Sequence, residues 1–183
     1  MRNSKIKRLS KGIWKLQNLR YLYLGLTSLP RTDNKAGLPN LQVLTGIALN
    51  HYTESLFAKA RFPNLRKLGL LPSASGGPID SMIYSSSLLS IHPLHHLQTL
   101  KFCGFFMCLS GEISLQLTKI TLLGLTGCRP STWGVLGSLT NLRILKVVKC
   151  ILRINFNESS FCQLEVLKMA KVTDSEWTME NAF

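Results

Sequence analysis

One nine-residue phrase constrains this chain more than any other feature: Leu139-Thr140-Asn141-Leu142-Arg143-Ile144-Leu145-Lys146-Val147, which reads L-x-x-L-x-x-L-x-φ with φ apolar. The phrase returns at 16–24, 38–46, 62–70, 94–102, 117–125 and 161–169, with Phe in place of the leading Leu at 62 and 161, Ile in place of the second Leu at 120 and Gly in the φ position at 46. The seven copies begin 22, 24, 32, 23, 22 and 22 residues apart. A single L-x-x-L occurs in many helices, but seven copies in step do not arise that way, and heptads would not return at this interval.

A repeat of this length, with leucines at these offsets, is the period of a leucine-rich repeat: one short strand and one return segment per turn of a solenoid. The expected fold is therefore α/β, a curved parallel β-sheet on the concave face with loops and short helices on the convex face. About seven to eight units are expected in one domain over 1–183. A single unit buries too few apolar side chains to offset the entropy of ordering its backbone, so neighbours must stack and stability is collective. Phe183 stands 22 residues after Phe161, where an eighth unit would begin. With no polar cap legible at either end, the chain is expected to be an interior section of a longer solenoid, truncated at both ends and prone to fraying before Leu16 and beyond Met169.

Between the phrases the sequence makes local forecasts. Residues 1–15 carry Arg2, Lys5, Lys7, Arg8, Lys11 and Lys15 without an acid, yet Ile6, Leu9, Ile13 and Leu16 thread apolar positions through them, so a return segment is preferred to a nucleic-acid arm, with Trp14 covering its edge. In the first unit Thr27 takes the polar turn position and Leu29 points inward. Gly46 stands where the second strand needs an apolar residue, which Ile47 can supply through a bulge. Residues 53–60 suit a short helix. The 32-residue interval contains Ser73-Ala74-Ser75-Gly76-Gly77-Pro78, a loop composition, before Met82, Leu88, Leu89 and Ile91 lead back to Leu94.

No apolar run is long enough to span a membrane. The amino terminus lacks the apolar core and small-residue site of a signal peptide, so an intracellular, cytoplasmic location is expected. The five cysteines, at 103, 108, 128, 150 and 162, show no C-x-x-C pair and are read as buried structural thiols. Cys128 and Cys150 each fall five residues after Leu123 and Leu145, at the repeat position that takes Asn or Cys. His95 and His96 are adjacent, and in an extended segment they would point to opposite faces, so they are read as surface residues and no metal site is assigned. No phosphate-binding loop, H-E-x-x-H or G-x-S-x-G is present; no catalytic residue or cofactor is assigned, and an enzyme is not expected. Asn157-Glu158-Ser159 fits a glycosylation sequon and is read as chance in an intracellular protein.

The net charge is +13, from 22 Lys and Arg against 9 Asp and Glu, so an acidic partner is implied. Side chains alternate along a strand, which lets the repeat nominate its exposed face. Arg20, Tyr21, Tyr23, Gln42, Val43, Thr45, Arg66, Lys67, Gln98, Thr99, Lys101, Thr121, Leu122, Arg143, Lys146, Lys149, Glu165, Lys168 and Lys171 fall there. Nine are basic and only Glu165 is acidic. The favoured partner is an acidic protein surface, bound through Arg20, Tyr21, Tyr23, Arg66, Lys67, Lys101, Arg143, Lys146, Lys149, Lys168 and Lys171. Nucleic acid ranks behind it, because the strip has few aromatics for stacking bases.

Beyond the period, the wording of the repeats resembles a known family. Gly12-Ile13-Trp14-Lys15-Leu16-Gln17-Asn18-Leu19-Arg20-Tyr21-Leu22, Leu38-Pro39-Asn40-Leu41-Gln42-Val43-Leu44, Phe62-Pro63-Asn64-Leu65-Arg66-Lys67-Leu68, Leu94 to Phe102 and Trp177 to Phe183 are similar to segments of the leucine-rich-repeat region of plant intracellular nucleotide-binding leucine-rich-repeat (NLR) disease resistance proteins of the coiled-coil type. The likeness covers essentially the whole chain. It implies a recognition and autoinhibition module in plant innate immunity, whose partners are a nucleotide-binding domain and pathogen effectors. The chain itself carries no nucleotide-binding motif, so ATP or ADP is not assigned to it. The alternatives are an inactive truncated remnant and an extracellular receptor-type repeat protein, since Leu109-Ser110-Gly111-Glu112-Ile113 resembles the LSGEIP of those receptors with Ser114 replacing proline. A ubiquitin-ligase adaptor would need an F-box, which is not here.

Overall fold

The computed structural model describes residues 9–32, 36–71, 91, 93–104, 106–107, 116–125, 127–128, 130–151 and 160–173. Seven strands, one per repeat, form a single sheet: β1 (Tyr21–Thr27), β2 (Val43–Ala48), β3 (Lys67–Leu71), β4 (Thr99–Cys103), β6 (Lys119–Leu123), β8 (Ile144–Val148) and β9 (Val166–Ala170). Every neighbouring pair is parallel and the order follows the chain, β1-β2-β3-β4-β6-β8-β9. This is the leucine-rich-repeat-like solenoid that the period demands. The short strands β5 (Phe106–Met107) and β7 (Gly127–Cys128) pair in parallel as a second ladder beside it. Among the described residues, two α-helices lie between strands, α1 (His51–Ala58) and α2 (Pro130–Gly137). Among the described residues no helix is long and apolar enough to cross a membrane.

The leucine offsets become four columns of stacked side chains. Leu38, Phe62 and Leu94 form one; Leu41, Leu65, Leu97, Leu117 and Leu142 the next; Leu44, Leu68, Leu100, Ile120 and Leu145 the third; Ile47, Leu70, Phe102, Leu122 and Val147 the fourth, all buried. The columns thin at the edges. Leu167 continues the third column beside Leu145, yet it is 43% exposed where Leu145 is fully buried. Stability of such a stack comes from both neighbours, and β9 has one strand partner among the described residues.

Backbone hydrogen bonds tie the units just ahead of each strand. The carbonyl of Arg20 accepts from both Gln42 and Val43, that of Gln42 from Arg66 and Lys67, that of Arg66 from Gln98 and Thr99, and the pattern continues through Thr118 and Arg143 to Glu165 and Val166. Asparagines add rungs: the Asn40 amide donates to Gln17 O at 3.0 Å and the Asn64 amide to Pro39 O at 2.8 Å, each reaching back one unit.

Several local forecasts meet the structure directly. Leu29 is buried, as expected; Thr27 is buried too, but as the last residue of β1, paired with Ile47, and not in a turn. Gly46 adopts φ 77° and the β1–β2 and β2–β3 registers shift there, so Ile47 pairs with Leu70 as a buried residue: the bulge forms. Helix α1 occupies the expected return segment; Asn50 caps it by accepting from Thr53 N at 2.9 Å, and Ala60 ends it at φ 49° with Arg61 N bonded to Leu56 O. Trp14 is buried on a 3-10 turn (Lys11–Lys15), donating to Pro30 O at 3.1 Å and stacking on Phe62 at 6.4 Å. It belongs to the core as well as the edge. Residues 1–8, residues 72–90 with the expected loop at 73–78, the phrase at 109–113, the sequon and the segment from 174 onward lie outside the described residues.

The fifth unit needs a correction. Ile120 pairs with Leu100 and Leu145, and Leu122 with Phe102 and Val147. Ile120, not Leu123, therefore stands level with Leu100 and Leu145, and the intervals between these strand positions are 20 and 25 residues rather than 23 and 22. Leu122, expected on the exposed face, is fully buried, whereas Leu123, taken as the inward leucine, is half-buried on the open face. The reason is degeneracy: Leu117-Thr118-Lys119-Ile120-Thr121-Leu122-Leu123-Gly124-Leu125 satisfies the leucine offsets in two frames, and burial of Ile120 and Leu122 decides between them.

A candidate interaction surface on the open sheet face

Register sorts the residues outside the leucine columns into rows that run across the strands. The first row, one residue before each strand, holds Arg20, Gln42, Arg66, Gln98, Thr118, Arg143 and Glu165. The second is Tyr21, Val43, Lys67, Thr99, Lys119, Ile144 and Val166. The third is Tyr23, Thr45, Gly69, Lys101, Thr121, Lys146 and Lys168. In the fourth, Cys103, Leu123, Val148 and Ala170 are partners in sequence, all half-buried. Neighbours within a row stand about 4.8 Å apart, and rows on the same face are separated by two residues, roughly 6.6 Å.

All eleven nominated residues fall on or beside this face, but not as one cluster. Arg20, Tyr21 and Tyr23 lie at the β1 edge, with the two tyrosines 55% and 67% exposed. Arg66 and Lys67 enter β3, and Lys101 sits on β4. Arg143, Lys146 and Lys149 belong to β8 and its flanks, Lys168 and Lys171 to β9 and its end. Gly69 leaves the third row without a side chain between Thr45 and Lys101, which separates the two ends.

Arg143 differs from the rest. Its guanidinium meets Glu165 at 3.0 Å, with both side chains about 60% exposed, so the one acid on the strip neutralises one of its cations. No such ion pair is made by Lys146 or Lys168 among the described residues. Lys149 and Lys171 share another property, positive φ of 53° and 54°. They follow their strands at the position that Gly104 and Gly124 take in the two preceding units, each also at positive φ. The N–H groups of Gly104, Gly124 and Lys149 donate to the last strand carbonyl of the next unit, at Leu123, Val148 and Ala170.

Two features escaped the pattern. Lys119 lies on the open face between Thr99 and Ile144, and the frame of the fifth unit hid it. The half-buried apolar row escaped because its residues extend each strand beyond the nine-residue phrase; their shared offset, three residues after Leu100, Ile120, Leu145 and Leu167, was the available signal.

The thiols divide by position. Cys150 is buried and its Sγ points at Val148 O, 3.3 Å, and Leu122 O, 3.7 Å, as a core residue of the repeat. In the corrected frame Leu125, not Cys128, is its counterpart in the preceding unit, and Ile151 N donates to Leu125 O. Cys103 is half-buried and Cys162 exposed, so of the three only Cys150 fits the expectation of a buried structural thiol. Burial pushes the Cys103 thiol up and nearby Lys101 pulls it partly back, which keeps it protonated and unreactive near neutral pH. His95 and His96 are both exposed in the turn before β4, and among the described residues no three His, Cys, Asp or Glu gather as a metal site. The surface thus offers cations, hydroxyls and a strip of apolar side chains. No protein-family model and no curated protein matches the chain.

Proposed function

We propose that this chain is a protein-recognition module, without catalysis of its own, that binds an acidic protein surface on the open face of its sheet. One observation carries the reading: Lys101, Lys146 and Lys168 project from the same row while the only acid on the strip, Glu165, is engaged by Arg143. Like charges held side by side on one sheet face cost stability, and an acidic partner removes that cost on binding. The resemblance to the repeat region of plant NLR disease resistance proteins supplies the setting: an intracellular module of innate immunity whose acidic partner is a nucleotide-binding domain or a pathogen effector.

The test is charge reversal of Lys101, Lys146 and Lys168 together, with folding checked by circular dichroism. Binding to a cognate nucleotide-binding domain is expected to be lost, while reversal of Lys11 and Lys15 on the 3-10 turn leaves it intact. Equal binding by the first variant and the parent chain would remove the open face from the proposal.

A further inference from the structure

The C-terminal end of the open face is more specific than a basic strip. Val148 and Ala170 are register partners and half-buried, and Leu123 continues their row onto β6. On one side, two residues back along the strands, stand Lys146 and Lys168; on the other, immediately after the strands, stand Lys149 and Lys171. An apolar floor from two adjacent strands is therefore bordered by Lys146 and Lys168 along one side, and the exposed Lys149 and Lys171 follow the strand ends at the other. The outer pair occupies left-handed backbone that glycine fills in the preceding unit, at Gly124 with φ 66°. Keeping a side chain there costs conformational energy, and such outliers point toward a use for the side chain.

From this frame we infer that β6, β8 and β9 form a docking site for an acidic amphipathic helix of a partner protein, laid across the strands. The inference rests on the protein-recognition reading above and names the shape of the partner. Rows of contrasting character lie side by side, all perpendicular to the strands. An extended peptide crossing the strands alternates its side chains and presents one row to the sheet. A helix presents an apolar stripe with acids along both margins, and residues three or four apart recur at about 5 Å along its axis, matching the strand spacing of about 4.8 Å. Apolar contact along the floor and carboxylates on both lysine pairs are then made together. Nucleic acid fits less well: it would leave the apolar floor unused, and the exposed tyrosines of the face stand at β1, the opposite edge of the sheet.

The experiment uses the full chain and a fluorescent helical probe of about three heptads, with leucine at the seam and glutamate along both margins. Two controls accompany it: a permuted peptide of identical composition without the apolar stripe, and a single-stranded oligonucleotide. Fluorescence anisotropy at near-physiological salt is expected to show binding of the amphipathic probe and weaker binding of both controls. Lys149→Gly with Lys171→Gly removes the outer lysines while giving the backbone the residue it favours; the double variant is expected to fold and to bind the probe about tenfold more weakly. Val148→Asp is expected to weaken it as well. Equal binding of the permuted peptide, preference for the oligonucleotide, or an unchanged affinity in the double glycine variant would each overturn the helix site. If the probe fails while reversal of Lys101, Lys146 and Lys168 still abolishes binding to the nucleotide-binding domain, the helix site falls and the recognition face stands.

Discussion

Lys146 and Lys168 are direct partners in the register between β8 and β9, with their side chains on the same open face. Neither is relieved by an ion pair among the described residues, whereas one row away Arg143 and Glu165 are joined at 3.0 Å. The fold thus holds two like charges at about the spacing of adjacent strands. Replacing Lys168 with Gln is expected to stabilise the chain by about 0.2–0.5 kcal/mol at low salt. The gain should vanish near 1 M salt, where screening is nearly complete. Urea unfolding at both ionic strengths measures it, and a loss of stability at low salt would show that the pair is not in repulsion.

The frame of the fifth unit yields a sharper contrast between adjacent leucines. Leu122 is fully buried in the fourth column between Phe102 and Val147, so Leu122→Ala is expected to cost about 2–5 kcal/mol through lost burial and a residual cavity. Leu123→Ala, on the open face, is expected to cost less than about 1 kcal/mol. Reversed effects would restore the frame that begins at 117. Thermal or urea denaturation of the two variants decides it.

That pair also marks how far the sequence could be read. The spacing of Leu, Phe and Ile specified seven strands and a parallel solenoid because a fixed period leaves the backbone one way to bury every copy. It also located Gly46 and Ile47 as a bulge, since an inward glycine followed by isoleucine has one inexpensive solution. Where two leucines adjoin, as at 122 and 123, periodicity is degenerate by itself and only the stacking of neighbouring units breaks the tie. The same ambiguity concealed Lys119. The apolar row through Cys103, Leu123, Val148 and Ala170 was harder still, because an outward position occupied by a small or apolar residue looks like a continuation of the core until register places it on the other face.

Gly46 is the most demanding backbone position among the described glycines. A Cβ built there would lie 1.7 Å from Leu24 O, and the residue already sits at φ 77°. Gly46→Ala must displace the backbone of β1, and a loss above about 2 kcal/mol is expected, the bulge being the junction of two registers. Gly25→Ala meets nothing within 4 Å and serves as the control, with little change expected. Comparable denaturation midpoints for the two variants would mean that the bulge relaxes without cost.

Alkaline pH should act on Cys103 in a definite direction. Burial raises its thiol above the unfolded value, so folding favours the protonated form, and the nearby ammonium of Lys101 offsets only part of this. The contribution to stability is complete below the unfolded thiol value of about 8.5 and is lost as pH climbs through the higher folded value. The stability of the parent chain relative to Cys103→Ala is therefore expected to decline above about pH 8.5 and to be constant below it. A difference that grows with pH would mean that Lys101 outweighs burial.

The left-handed lysines lead to a last and less intuitive expectation. Glycine inside a strand ordinarily destabilises, because it adds freedom to the unfolded chain and contributes no packing. Lys149 and Lys171 stand just past their strands at φ 53° and 54°, where a Cβ is disfavoured and glycine is not. Relief of that conformation outweighs the added unfolded-state entropy, so Lys149→Gly and Lys171→Gly are each expected to raise stability by about 0.5–1 kcal/mol. Both side chains are exposed, and little packing is lost with them. Urea midpoints that rise while affinity for the acidic helical probe falls would show stability and recognition opposed at the same two positions, as expected if the lysines are there for a ligand. Midpoints that fall in both variants would mean that the lysine stems support the fold, and the left-handed backbone would then have no bearing on recognition.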